Sequence, residues 1–311
     1  MNNKNSSGLN YLVTGGAGFI GSNLTERLVG EGHNVIVVDN LSTGSLKNLK
    51  AIKSKIKFIR SPVSKILKNK SIKNLDGIFH IGIPSSTMLY RKNPHLVGEA
   101  INEFIDMLEL SKREKCKMVY ASSSSVYNGN PTPFKEDMPV FVTDFYTEAR
   151  YEMERLADLY YGWHKVKSAG VRFFSVYGPH EEAKKEFANL ITQFLWDVKK
   201  GKKPVIFGDG KQTRDFTYVR DIIEGCVLAM NSAVEHDVFN IGAGEQITFN
   251  EMVQVLEKIL GKKIECEYVP NPLQGYVYGT LSDTSKAKKI LGFKPEYNLE
   301  KGIIEILEYY K

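Results

Sequence analysis

The chain has 311 residues, 42% hydrophobic and 25% charged, with a formal net charge of +6, an ordinary globular composition with enough length for a large core or for one large and one small domain. No apolar run reaches the ~18 residues of a membrane span. The opening MNNKNSSGLN lacks the apolar core of a signal peptide, and the lysines fall in scattered runs without the aromatic interleaving of a nucleic-acid surface.

In chain order, Tyr11–Thr14 reads as a buried strand, residues 21–30 as an amphipathic helix and Val35–Val38 as a second buried strand. Ile56–Ile59, Gly77–His80 and Met118–Ala121 continue the series, helical patterns cover 95–113 and 147–162, and Gly170–Phe174 is another strand. Continuous apolar strands alternating with helices predict an α/β fold, a parallel sheet covered on both faces. After about residue 178 the pattern loosens: helices near 187–200, 220–231 and 248–260, a short strand at 238–241, and an ending rich in Gly, Pro and Tyr. Cys116, Cys226 and Cys266 are far apart and lack CxxC spacing. That predicts reduced thiols in a cytoplasmic protein and no metal site.

The first strand runs into Gly15-Gly16-Ala17-Gly18-Phe19-Ile20-Gly21. Gly15 permits the tight turn, Gly18 lets the backbone approach a pyrophosphate, and Gly21 lets helix and strand pack closely. The helix then presents free N–H groups and the positive end of its dipole to the phosphates. Asp39 ends the second strand, where a carboxylate can take ribose hydroxyls and would repel a 2′-phosphate. The constellation predicts dinucleotide binding, with NAD favoured over NADP.

Further segments are TGGAGFIGSNL (14–24), VVDNLSTG (37–44), FHIG (79–82), VYASSSSVY (119–127), Tyr146 with Arg150, RFFSVYGP (172–179), GDGKQTRDFTYVRD (208–221), FNIGAG (239–244) and SKAKKILGFKP (285–295). On these the chain resembles the extended short-chain dehydrogenase/reductases. Within them it is similar to the NAD-dependent nucleotide-sugar epimerase/dehydratase group, most of all the UDP-glucose 4-epimerases. The resemblance implies a Rossmann-type doubly wound parallel sheet over residues 1–175, to which 215–245 return. Residues 176–311 would form mainly a smaller α/β substrate domain. It also implies NAD as cofactor and a homodimer built through the helices at 95–113 and 147–162.

The family chemistry oxidises a sugar carbon transiently and returns the hydride. A tyrosine acts as base there only if its pKa falls from ~10 toward neutrality, with help from a nearby cation. The resemblance maps the tyrosine onto Tyr146, the hydroxyl that bonds the reacting oxygen onto Ser123, and the cation onto Arg150, four residues after Tyr146 where the family has lysine. For the cofactor it implies Gly15, Gly18, Phe19, Ile20, Gly21, Asp39, Asn40, Ser42, Thr43, Gly44 and Gly82, with Tyr146 and Arg150. For the substrate it implies Ser123, Ser125, Ser175 and the diphosphate contact Arg214, while Asp215 is expected to hold its loop.

Several positions depart from the family. Arginine keeps the charge at 150 but is longer, forked and never deprotonated. The family's second diphosphate arginine is missing from Pro272–Tyr276. The asparagine usual after the aromatic pair is Ser175, the acid near the adenine is missing from Arg60–Val63, the alanine pair is Gly82-Ile83, and Ile101 stands where asparagine is expected, with Asn102 one step away. Ser124 and Ser125 replace the Asp-Glu of dehydratases, which disfavours dehydration. The resulting expectation is C4 epimerisation of the UDP-glucose/UDP-galactose type. UDP-glucuronate decarboxylation and a catalytically impaired NAD-binding protein are the alternatives.

Overall fold

The structure is a computed structural model that describes residues 8–271 and 276–310. Strands β1 (Asn10–Thr14), β2 (Asn34–Asp39), β3 (Ile56–Arg60), β4 (Gly77–His80), β5 (Lys117–Ser123) and β6 (Ser168–Phe173) form one sheet with the strand His236–Ile241. The order across the sheet is His236–Ile241, β6, β5, β4, β1, β2, β3, and every pairing in it is parallel. Strand order reverses between β1 and β4, the point at which such sheets open a ligand crevice at their C-terminal edge.

Side-chain alternation along each strand divides the core in two. Leu12, Ile78, Met118 and Tyr120 pack with Phe104 and Met107 of α3 (Leu96–Glu114) and Met153 and Ala157 of α4 (Phe145–His164). Val13, Phe79 and Val119 pack with Leu24 and Leu28 of α1 (Phe19–Gly30) and Ile222 and Cys226 of α6 (Val219–Asn231). Cys116 and Cys226 are buried free thiols and Cys266 a half-buried one. A smaller cluster, Val126, Tyr127, Phe134 and Phe174, lies under the segment after β5.

The helices expected near 187–200 and 248–260 are α5 (Leu190–Lys199) and α7 (Phe249–Leu260), and the Gly-, Pro- and Tyr-rich ending carries two further helices, α8 (Ser285–Leu291) and α9 (Leu299–Tyr309). Composition hid them, but α9 has an Asn298 cap whose side chain accepts from Lys301 N–H, and it buries Leu299, Ile303 and Ile306, the spacing of one apolar helical face. Two short elements near the cleft were also not expected: α2 (Thr87–Lys92) and a 3₁₀ turn over Ser124–Tyr127. Among the described residues no helix is long and apolar enough to cross a membrane.

Candidate active site

The parallel register brings Thr14, Asp39, His80 and Ser123 to the C-terminal edge of adjoining strands. Gly15 has φ +66°, and a Cβ there would sit 2.4 Å from Gly82 Cα. A Cβ on Gly21 would lie 2.1 Å from Gly15 O, so the turn closes only without side chains. Thr14 ties the two loops together: its hydroxyl accepts from Gly82 N–H at 3.1 Å and bonds His80 Nδ1 at 2.8 Å. The other ring nitrogen, Nε2, is buried without a partner. Burial, then the nearby Arg150 charge, holds the imidazole pKa down at about 3.

The N-cap of α1 is Gly18, which provides no side-chain bond, so Phe19, Ile20 and Gly21 present first-turn N–H groups to the crevice. Asp39 is buried, and its carboxylate accepts from Ala17 N–H at 2.9 Å and Leu41 N–H at 2.7 Å. Burial raises its pKa, opposed by these main-chain bonds. Asp39 therefore fixes the glycine loop, a task the sequence did not disclose. Asn40 caps the next turn by accepting from Ser42 N–H at 2.9 Å, Ser42 and Thr43 are exposed, and Gly44 packs against Ala17 and Asp39. This cradle of close main chain, open N–H groups and a carboxylate fits a dinucleotide.

Tyr146 is the second residue of α4, whose cap Asp144 accepts from Thr147 N–H at 2.7 Å. The Arg150 guanidinium carbon sits 4.9 Å from the Tyr146 ring centroid, and the Tyr90 and Tyr146 rings meet in a T-shape with centroids 5.6 Å apart. Arg150 is buried; Nη1 donates to Ala121 O at 2.8 Å and Nη2 to Pro84 O at 2.9 Å. Its fork joins α4 to the end of β5, two residues before Ser123, and to the loop after β4. Ser123 Oγ accepts from Ser125 N–H at 3.1 Å and so caps the 3₁₀ turn. The Ser125 hydroxyl, the Tyr90 hydroxyl and Arg150 Nε are all buried without partners, a cost that bound ligand groups can relieve.

Arg214 lies between the rings of Phe249 and Tyr276, 5.4 and 5.3 Å from their centroids, and donates to Thr213 O at 2.7 Å. Burial lowers its pKa, partly offset by Tyr276. Asp215 is fully buried, accepting from Ala243 N–H at 2.8 Å and Ser282 N–H at 2.9 Å, so it holds the loop that carries Arg214. Ser175 has φ +30°, and its carbonyl accepts from Asn189 Nδ2 at 3.1 Å. The missing second arginine, at Pro272–Gly275, lies outside the described residues. The geometry adds Tyr90, for which the sequence carries no signal. It also adds Glu154 and Arg172, whose spacing from Tyr146 and place at the head of RFFSVYGP are visible but unread in the sequence.

A family model described as "NAD dependent epimerase/dehydratase family" matches residues 11–242. The chain is 34% identical to a putative UDP-glucose 4-epimerase of Methanocaldococcus jannaschii, over 96% of this chain and 98% of that protein. It superposes on the crystal structure of a UDP-glucose 4-epimerase from Thermotoga maritima, solved with UDP-glucose, with a TM-score of 0.91 at 31% identity over 97% and 98% of the two chains. A UDP-glucuronic acid 4-epimerase from Bacillus cereus, solved with UDP-glucuronic acid and NAD, gives a TM-score of 0.84 at 30% identity over 97% and 98%. Sequence match, sheet order and glycine cradle agree: the chain belongs to the NAD dependent epimerase/dehydratase family.

Proposed function

We propose that this protein is a nucleotide-sugar 4-epimerase of the UDP-glucose/UDP-galactose type, acting through a transient 4-keto sugar. The observation that carries the reading is the meeting of Tyr146, Arg150 and the Ser123 turn beside the Gly15–Gly82 cradle. Bound NAD would supply the acceptor and donor of the C4 hydride. Tyr146 takes the proton of the C4 hydroxyl and returns it. Ser123 bonds the oxygen as its charge changes, and Ser125 offers its unpartnered hydroxyl to the sugar. Arg150 places a fixed positive charge against the Tyr146 ring, a cation–π contact that anchors the phenol. Arg214 meets the diphosphate, and residues 176–311 supply mainly the substrate side.

The chemistry at 124 and 125 supports epimerisation over dehydration, since two hydroxyls cannot replace the acid and base that elimination of water needs. A homodimer is part of the proposal. Leu159 and Trp163 of α4 are 53% and 81% exposed, and Val97, Ile101 and Ile105 line one half-buried stripe of α3. These are the two helices the family resemblance assigns to the interface. The test is to incubate the purified protein with UDP-galactose and NAD and to follow UDP-glucose. Conversion supports the reading. Binding of both ligands without conversion favours the impaired alternative, which the engagement of the Arg150 fork by Ala121 and Pro84 carbonyls motivates. Carbon dioxide from UDP-glucuronate would replace epimerisation with decarboxylation.

A further inference from the structure

The six residues Ser122–Tyr127 contain both serines assigned to the reaction, and both ends of this segment are tied to one buried ion pair. At the near end Ser122 donates to Glu154 Oε1 at 2.5 Å. At the far end the Tyr127 hydroxyl accepts from Arg172 Nη1 at 2.6 Å and donates to Asn240 Oδ1 at 2.7 Å. Arg172 meets Glu154 through two bonds, Nε to Oε1 at 2.9 Å and Nη2 to Oε2 at 2.6 Å. Their side chains are 4% and 6% exposed.

A buried ion pair seldom adds stability over apolar side chains of the same size, so what it does for its partners matters more. Glu154 lies one turn beyond Arg150 and two beyond Tyr146 on α4, near one helical face. Arg172 comes from β6, next to β5 in the sheet. The pair therefore registers the serine turn against the helix that carries the tyrosine. Between the two tethers the turn is already fixed internally by the Ser123–Ser125 bond.

We propose that Glu154 and Arg172 are positioning residues, a two-ended clamp that holds Ser123 and Ser125 in place against Tyr146. The clamp bears on catalysis only if the functional reading above is right, so its test includes a measurement that needs no turnover. Ser122→Ala releases the near end and Tyr127→Phe the far end. Each removes one bond to the ion pair but leaves Glu154 and Arg172 bonded to each other, and Phe keeps the ring stacking of Tyr127 on Phe134. Each variant is expected to lower kcat about tenfold and the double variant about a hundredfold, the scale of small misplacements of reacting groups. KM for the nucleotide sugar should stay within about twofold, because the ground-state contacts are not removed. Equal kcat in the wild type and both variants, or losses that follow the melting temperature, would overturn the clamp. Amide exchange at residues 123–127 is read in parallel. Release should speed it about tenfold, as local opening allows, while the sheet strands keep their protection. Unchanged exchange overturns the clamp even if the wild-type protein converts no sugar, whereas faster exchange with no wild-type turnover retains the clamp and rejects the epimerase reading.

Discussion

At the end of the cleft proposed for the cofactor, between β1 and β4, the chain offers mostly main chain: Gly15 against Gly82, the open start of α1, and Asp39 bonded to loop N–H groups. At the proposed catalytic end, between β5 and α4, it offers side chains held from a distance. Arg150 reaches Ala121 and Pro84, and Glu154 joins Ser122 to Arg172. A main-chain site tolerates almost no added atom, because backbone cannot move aside. A side-chain site tolerates small changes of shape but loses function when one polar atom goes. The two ends should therefore fail differently.

The largest effect is expected from Tyr146→Phe. It keeps the ring between Tyr90 and Arg150 and removes only the oxygen. Steady-state assays should show kcat reduced by about 10²–10⁴, while NAD and nucleotide-sugar binding by calorimetry change little. A variant of near-normal rate would remove Tyr146 from the base role. Next comes the cofactor end. The Cβ of Gly21→Ala meets Gly15 O at 2.1 Å, so urea denaturation should show a loss of about 3 kcal/mol together with weakened NAD binding. Wild-type stability and affinity would mean that the loop has room the structure does not show.

This contrast also explains what was legible in the sequence. Gly15, Gly18, Gly21 and Asp39 lie within 25 residues of chain, and their task follows from local backbone geometry, so a single strand–turn–helix pattern conveys it. The sheet was legible for the same reason, since each strand declares itself by a run of apolar residues. Arg150 could be named as a departure from the family lysine, but its partners could not. Ala121 and Pro84 are 29 and 66 residues away, and carbonyl acceptors have no signature. Tyr90 is a fully buried phenol on a six-residue helix whose role depends wholly on α4 packing against it. Helices α8 and α9 were hidden because Gly, Pro and Tyr around them masked a short apolar face.

Arg150→Lys tests whether the catalytic end has adapted to the fork. One ammonium cannot meet Ala121 and Pro84 as the two Nη groups do, so one buried carbonyl loses its donor. We expect thermal or chemical denaturation to show a loss of about 2 kcal/mol and kcat to fall rather than rise. A faster Lys variant would identify arginine as a handicap.

The next effect is on pH dependence. Burial holds the His80 and His180 pKa values at about 3 and about 4 in the fold, below the ordinary 6.5. As pH falls through 6.5 the unfolded chain takes up protons that the folded chain refuses. The stability tied to each histidine is therefore present above 6.5 and is lost toward 4 and below, at up to about 1.4 kcal/mol per pH unit per group. The buried Asp39 and Asp215, raised instead, act in the opposite sense. Denaturation at pH 7.5 and 5 should show the loss, and His180→Asn should reduce it; asparagine also tolerates the φ of +76° found there. A slope unchanged in that variant would mean that His180 is accessible to protons in the fold.

The smallest effect concerns Ser175, where the family has asparagine. Its φ of +30° is left-handed backbone, costly for most L-residues but visited readily by asparagine. The strained turn is held through its carbonyl, which accepts from Asn189 Nδ2 at 3.1 Å and Thr217 N–H at 3.3 Å. These bonds do not involve the Ser175 side chain. Ser175→Asn should thus keep both bonds, relieve part of the strain and raise stability by about 0.5 kcal/mol, read as a shift in the denaturation midpoint at unchanged slope. A destabilised variant would show that the added amide collides with its surroundings, and hence that the substrate end has closed around serine and is as intolerant of added atoms as the glycine loop.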